Sequence, residues 1–162
     1  MNILVTGGCG FIGSNFILKQ VQKHQNMVLN FDKLTYAGNV DNLAPIVDQP
    51  NYQFINGDIC NSKLVADIVN TFQPTIIVHF AAETHVDRSI DSPMDFIQTN
   101  IVGTAILLNT LLDYWQKLIN NNKDTSLKFL HVSTDEVFGS LGDNRFFTET
   151  TAYDPSSPYS AS

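Results

Sequence analysis

The composition limits the kinds of protein that these 162 residues can form. Only nine lysines and arginines stand against 16 aspartates and glutamates, and the resulting net charge of −7 argues against a nucleic-acid-binding surface. With 43% hydrophobic residues the chain can bury the core of one domain, whereas no apolar run reaches the ~18 residues of a membrane span. Since the first predicted strand begins at residue 2, we expect no signal peptide, a cytoplasmic location, and no membrane or nucleic-acid partner.

The stretch 2–13 passes from a short apolar run into four glycines and then into a helical pattern, so it predicts a strand, a tight turn and a helix. A phosphate can approach the backbone closely only where side chains are missing, and the first free amide groups of the helix then point at it. Gly8, Gly10 and Gly13 satisfy G-x-G-x-x-G, while Gly7, Gly10 and Gly13 satisfy G-x-x-G-x-x-G. The motif predicts a pyrophosphate site and leaves the subfamily open.

A second predicted strand, 28–32, ends in Asp32, 19 residues after Gly13, where a carboxylate can accept hydrogen bonds from an adenosine ribose. We therefore expect a dinucleotide site, the alternative being a glycine turn with Asp32 as an ordinary strand-end residue. Asp58, just past a third strand at 52–56, could reach the adenine amino group or act as a solvated cap.

The rest of the chain alternates between helical and strand patterns. The two cysteines, Cys9 and Cys60, lie far apart without the spacing of a metal site, so we expect reduced thiols and no metal. The broad apolar surface of the longest helix could face either its own sheet or a second subunit. The further predicted elements are an irregular helix at 39–47, a helix at 61–72 capped by Asn61, a strand at 75–80, a helix at 92–120 and a buried strand at 127–132. Five strands separated by helices predict an α/β fold with a doubly wound parallel sheet.

Ligands of such sheets lie beyond the carboxyl ends of the strands, which draws attention to the segments 81–89 and 133–139. Ala81 and Ala82 would let the backbone approach the middle of a cofactor. Asp135 and Glu136, two adjacent carboxylates, could divide acid and base work, the alternative being a polar loop with a helix cap. Further on, a helix start at 157–158 carries Tyr159 on its first turn.

Together these segments resemble the N-terminal part of the dTDP-glucose 4,6-dehydratases, a family of extended short-chain dehydrogenases/reductases. The resemblance covers essentially all 162 residues and rests on 6–13, 32–39, 81–90, 133–139 and 153–162. The glycine loop is common to the superfamily. The adjacent pair Asp135 and Glu136 is typical of a much smaller group of proteins. Sugar-nucleotide epimerases lack such a pair, because they only move a hydride and need no elimination catalysts.

The resemblance implies a Rossmann-type NAD-binding domain and the NAD-dependent dehydration of dTDP-glucose to dTDP-4-keto-6-deoxyglucose. It implies that Tyr159 takes the proton of the sugar 4-hydroxyl beside Thr134. Glu136 would then remove the carbon 5 proton while Asp135 protonates the departing 6-hydroxyl.

The resemblance also implies a homodimer for the whole enzyme and a set of contact residues. Thr84 and Thr134 are expected to contact the substrate. The residues expected to contact NAD are Gly7, Gly10, Phe11, Ile12, Gly13, Asp32, Lys33, Leu34, Thr35, Asp58, Ile59, Phe80, Ala81, Ala82, Glu83, Thr84 and Thr99.

Two departures from the family pattern bear on activity. Phe138 stands where the family usually has Tyr, and the Lys of the family's Tyr-x-x-x-Lys pattern would be residue 163, beyond this sequence. We therefore expect residues 1–162 to be an incomplete NAD-binding domain, truncated before its last elements, without the C-terminal substrate domain and inactive alone. The alternatives are another nucleotide-sugar epimerase or dehydratase, or a noncatalytic NAD-binding module.

Overall fold

The computed structural model describes residues 1–122, 126–141 and 146–162, and it is built around one parallel sheet. The strands are β1 (Asn2–Thr6), β2 (Met27–Asp32), β3 (Tyr52–Asn56), β4 (Ile76–His79) and β5 (Lys128–His131). Their order in the sheet is β3-β2-β1-β4-β5, and every neighbouring pair is parallel, with Leu4 of the central strand between Leu29 and Ile77. All five strand predictions are confirmed in place.

Helices cover both faces of the sheet, because apolar side chains along each strand point alternately to the two faces. The helices are α1 (Phe11–Leu18), α2 (Ser62–Phe72), α3 (Val86–Asp91), α4 (Pro93–Phe96), α5 (Thr104–Asn120) and α6 (Pro158–Ala161). Leu4 of β1 points into one core beneath α2 and α5, whereas Ile3 and Val5 point into the other beneath α1. The predicted doubly wound α/β fold is confirmed.

Wider and tighter helical turns join these elements. Lys19–Lys23 extends α1, and Ile97–Gly103 connects α4 to α5, both as π-helix. The predicted irregular helix is a 3₁₀ helix, Val40–Ile46, that contains Pro45. A second 3₁₀ helix, Asp135–Phe138, follows β5.

Local capping signals are confirmed where the side chain reaches its own helix. The Asn61 side chain accepts a hydrogen bond from the Leu64 N–H at 3.1 Å, and Ser157 and Ser160 form a capping box at α6. Ser92 precedes Pro93 at a helix start as predicted, but its side chain makes no capping hydrogen bond.

One prediction about the sheet is wrong. The fifth strand is not buried: β5 is the edge strand, and Leu130 is 55% exposed because no described element covers it. After β4, Val86–Asp91 forms a helical turn that buries Ser89.

Within the described residues, no helix is both long and apolar enough to cross a membrane. The same part of the chain contains no group of three or more side chains arranged to hold a metal ion. Cys9 and Cys60 are free thiols. Burial is the main cause that raises the pKa of the Cys9 thiol to about 11.

Candidate functional site

A cavity of about 900 Å³ opens at the carboxyl ends of the strands, where the strand order changes direction between β1 and β4. Residues that follow each of the five strands line it. The predicted site residues among them are Gly7, Gly10, Phe11, Ile12, Gly13, Asp32, Lys33, Thr35, Asp58, Ile59, Phe80, Ala81, Ala82, Glu83, Thr84, Thr99, Thr134 and Tyr159.

The glycine loop fits tightly against the sheet on one side and is open to the cavity on the other. Gly7 has a positive φ of 71°, and a Cβ there would lie 2.5 Å from the Ala81 nitrogen. A Cβ on Gly13 would lie 2.5 Å from the Gly7 carbonyl oxygen, whereas one on Gly10 would find its nearest atom at 3.4 Å. Since Gly10 precedes α1 without a side-chain cap, the first amide groups of the helix remain available to an anion.

Asp32 ties the glycine loop to the loop that follows β2. Its Oδ2 accepts a hydrogen bond from the Cys9 N–H at 2.8 Å, and its Oδ1 accepts one from the Leu34 N–H at 2.8 Å. A carboxylate has about four lone-pair positions, so both oxygens can still accept a ribose hydroxyl. The side chain is therefore oriented in advance of any ligand.

Lys33 and Asp58 pair across the next part of the rim, with Nζ 3.1 Å from Oδ2. Partial burial opposes ionisation of Asp58, but the Cys60 N–H and Lys33 outweigh it and lower the pKa of this carboxyl. Burial likewise opposes the charge on Lys33, yet the bond to Asp58 raises its pKa. Asp58 thus bonds protein groups here, which leaves its predicted contact with adenine untested.

The segment after β4 is held by an asparagine that sequence reasoning did not select. Asn100 Oδ1 accepts the Glu83 N–H at 2.8 Å, and Nδ2 donates to the Glu83 carbonyl at 3.0 Å and to Ser162 Oγ at 2.9 Å. Nearby, the Arg88 guanidinium lies 4.1 Å from the centre of the Tyr36 ring, so α3 contacts the loop after β2.

The predicted catalytic residues divide into two groups. Thr134 and Tyr159 both line the cavity, and Tyr159 is half-buried with its ring edge-on to Phe96 at 6.3 Å. Asp135 and Glu136 are exposed and lie outside the described lining. Their acid and base roles stay predictions.

The local geometry explains that division. Thr134 caps the 3₁₀ helix through a bond from the Glu136 N–H at 3.2 Å, and this turn presents Val137 and Phe138 to the cavity instead of the carboxylates. Leu34, another predicted contact, also lies outside the lining.

Several lining residues were missed by sequence reasoning, including Asn100 and Thr104, both within the predicted helix 92–120, and Ser160 beside Tyr159. The available signal was polarity: Asn100 and Thr104 are polar residues within the apolar pattern of that helix.

Comparisons with known proteins agree with this geometry. The family model described as GDP-mannose 4,6 dehydratase matches residues 4–162. A probable dTDP-glucose 4,6-dehydratase of Sinorhizobium fredii is 53% identical over 162 residues, covering 100% of this chain and 46% of that protein.

Solved structures give the same result. The dTDP-glucose 4,6-dehydratase of Bacillus anthracis, in complex with NAD, has a TM-score of 0.83 at 43% identity and matches 99% of this chain and 46% of its own. The dTDP-glucose 4,6-dehydratase of Streptomyces venezuelae, with NAD and TYD bound, has a TM-score of 0.83 at 41% identity and matches 99% and 48%.

The chain thus spans less than half the length of these relatives. The predicted resemblance is confirmed, and the fold is the Rossmann-type domain of these proteins. Because the family model matches nearly every residue of the sequence, the chain belongs to the GDP-mannose 4,6-dehydratase family.

Proposed function

We propose that this chain is the dinucleotide-binding part of an NAD-dependent dehydratase that converts dTDP-glucose to dTDP-4-keto-6-deoxyglucose. The observation that carries the proposal is one cavity lined by the glycine loop, Asp32, Thr134 and Tyr159. The 53% identity to a relative named as a probable dTDP-glucose 4,6-dehydratase supports this substrate.

The residues of the cavity fit NAD. Gly10 leaves open space above the start of α1, where a pyrophosphate needs close approach to the backbone. Phe11 and Ile12, exposed by 83% and 62%, line the same cavity and would be covered by a bound dinucleotide. Asp32 would hold the adenosine ribose.

When bound, NAD supplies the chemistry that accepts a hydride from sugar carbon 4 and later returns it to carbon 6. Tyr159 would take the 4-hydroxyl proton, with Thr134 hydrogen-bonded to the same oxygen. Glu136 would remove the carbon 5 proton, which the neighbouring carbonyl acidifies, and Asp135 would protonate the departing 6-hydroxyl so that water leaves. Because the two carboxylates are exposed, we expect their side chains to turn toward the sugar when it binds.

The decisive experiment supplies dTDP-glucose to the longer protein that contains this chain. A dehydratase releases one water, seen by mass spectrometry, and incorporates one deuterium at carbon 5 from D₂O. Production of dTDP-galactose without loss of water would identify an epimerase instead. The polypeptide 1–162, which does not include the family's Lys position, is expected to bind NAD without turnover.

A noncatalytic NAD-binding module is the second candidate, and the outward position of Asp135 and Glu136 favours it. Glu136→Gln separates the two. For the dehydratase it should abolish deuterium incorporation and water loss while NAD affinity stays unchanged. If the longer protein binds NAD but converts no sugar nucleotide, the chain belongs to a noncatalytic NAD-binding module.

We further propose that the whole protein is a homodimer that pairs through an apolar stripe on the longest helix. Three exposed side chains form this stripe on α5 at spacings of four and seven residues, which keeps them on one face. They are Leu108, Leu112 and Ile119.

Light scattering on the longer protein tests the dimer. Leu108→Glu with Leu112→Glu should convert it to monomer, because two carboxylates would be buried in the interface. Gln116→Glu, an exposed control on the same helix, should leave the dimer intact. A monomeric unsubstituted protein would contradict this proposal.

A further inference from the structure

His79 lies at the end of β4 and is 1% exposed, with both ring nitrogens in hydrogen bonds. Nδ1 lies 2.5 Å from Thr6 Oγ1, and Nε2 lies 2.9 Å from Thr104 Oγ1. Thr6 Oγ1 also accepts the Ala81 N–H at 3.4 Å. These contacts form one chain of hydrogen bonds from the backbone after β4 to the start of α5.

The ring carries one proton at neutral pH. Burial, assisted by the charge of His131 on β5, lowers the pKa of His79 to about 4. A neutral imidazole donates from one nitrogen and accepts at the other, so the chain of bonds can run in either of two directions.

Counting protons selects one direction. If Nδ1 carried the proton, Thr6 Oγ1 would accept from both His79 and Ala81, and its own proton would have no acceptor among the described residues. Thr6 is fully buried, so that unpaired donor would be costly. If Nε2 carries the proton, Thr6 donates to Nδ1, and the buried groups of Thr6, His79 and Ala81 in this chain of hydrogen bonds are all paired.

With the proton on His79 Nε2, one proton remains without an acceptor, that of the Thr104 hydroxyl. Its oxygen accepts from His79 Nε2 and makes no other hydrogen bond within the described chain. Thr104 is half-buried and lines the cavity, so this proton is accessible to a ligand.

We propose that His79 is a positioning residue in its Nε2–H form, which holds the Thr104 hydroxyl as a donor to an acceptor oxygen of the bound dinucleotide. The inference rests on the proposed function, because it takes the cavity to be an NAD site. The phosphate and ribose oxygens of NAD are acceptors of the required kind. The same bonds hold the Ala81 N–H, so His79 orders two sides of the cavity.

The tautomer is measured directly on the ¹⁵N-labelled polypeptide 1–162 by long-range ¹H–¹⁵N correlation of the imidazole rings, with His79→Asn assigning the signal. We expect a protonated Nε2 and an unprotonated Nδ1 for His79 in the ligand-free protein. A protonated Nδ1 overturns the proposal, whether or not NAD binds.

Calorimetric measurement of the NAD dissociation constant tests whether the Thr104 hydroxyl donates to NAD. Thr104→Val removes the hydroxyl at nearly constant volume and should weaken NAD roughly 3- to 10-fold, the range for one lost hydrogen bond. Thr104→Ser restores a hydroxyl and should recover most of that loss. Thr110→Val is the matched control, since the Thr110 hydroxyl only bonds the Ile106 carbonyl of the same helix.

His79→Asn tests whether His79 acts through Thr104. An Asn amide can replace Nδ1 beside Thr6 but is too short to reach Thr104. It should weaken NAD as Thr104→Val does, and adding it to Thr104→Val should have little further effect.

The outcomes separate the two proposals. Unchanged NAD affinity in a folded Thr104→Val variant, or additive losses in the double variant, overturns the role of His79 and leaves the NAD site standing. Failure of the unsubstituted chain to bind NAD overturns the proposed function together with the ligand assigned to Thr104.

Discussion

Lys33 Nζ lies 3.1 Å from Asp58 Oδ2, so the cation next to Asp32 is engaged by a second carboxylate. This pairing bears on the choice between NAD and NADP. The 2′-phosphate of NADP would meet the Asp32 carboxylate at a buried position, and Lys33, the neighbouring cation, is already paired with Asp58.

We therefore expect NAD to bind more tightly than NADP. Asp32→Asn should lower the ratio of the NADP to the NAD dissociation constant roughly tenfold, because bonds to a charged group are worth about 1.5–3 kcal/mol. Calorimetry with both cofactors measures the ratio, and Asp41→Asn, an exposed carboxylate, is the control. Equal affinity of the unsubstituted chain for both cofactors would contradict this expectation.

Alanine substitutions in the glycine loop should distinguish a glycine that is needed for packing from one that faces the ligand. Gly13→Ala places a methyl 2.5 Å from the Gly7 carbonyl oxygen and should cost about 1–3 kcal/mol of unfolding free energy. Gly10→Ala finds its nearest atom at 3.4 Å, so stability should change by less than ~0.5 kcal/mol while NAD binds roughly tenfold more weakly. Urea unfolding and calorimetry on both variants check this, and equal effects on stability would refute it.

The buried imidazole of His79 should make the fold sensitive to acid. Its pKa is lowered from 6.5 to about 4, chiefly by burial, so below pH 6.5 the unfolded state binds the proton more readily. The stabilisation is complete above 6.5, decreases as the pH falls, and about 3 kcal/mol has been lost once the pH is below about 4.

Urea unfolding at several pH values measures this dependence. In His79→Asn that component of the slope should vanish, although the variant is less stable at neutral pH. His24→Asn, at an exposed position, should keep the slope of the unsubstituted protein. Parallel curves for the unsubstituted protein and His79→Asn would show that His79 is not the source.

Asn100 should stabilise the cavity wall that follows β4. Asn100→Ala removes two bonds to the Glu83 backbone and one to Ser162, at roughly 1 kcal/mol each. Faster amide exchange confined to residues 81–85 and a several-fold weaker NAD complex are expected. Asn109→Ala, at an exposed position of α5, controls for the loss of an asparagine. Unaltered exchange at 81–85 would mean that other contacts hold the segment.

The parts of the fold that were predictable from sequence are those governed by short-range rules. The continuous apolar run of Ile3, Leu4 and Val5 already implies a strand covered on both faces, because successive side chains point in opposite directions. Asn61 and Ser157 likewise indicate helix starts, because each side-chain oxygen accepts a hydrogen bond from the backbone N–H three residues further on.

Other features depend on contacts between residues far apart in the chain, which no local pattern encodes. β5 reads as a buried strand, yet its place at the sheet edge leaves Leu130 exposed. Asp135 and Glu136 stand out as a pair, but the cap formed by Thr134 turns that segment so that they face solvent. Thr6, His79 and Thr104 look unrelated in the sequence, and they form one chain of hydrogen bonds because the parallel sheet and the helix packed on it bring residues 73 and 25 positions apart into contact.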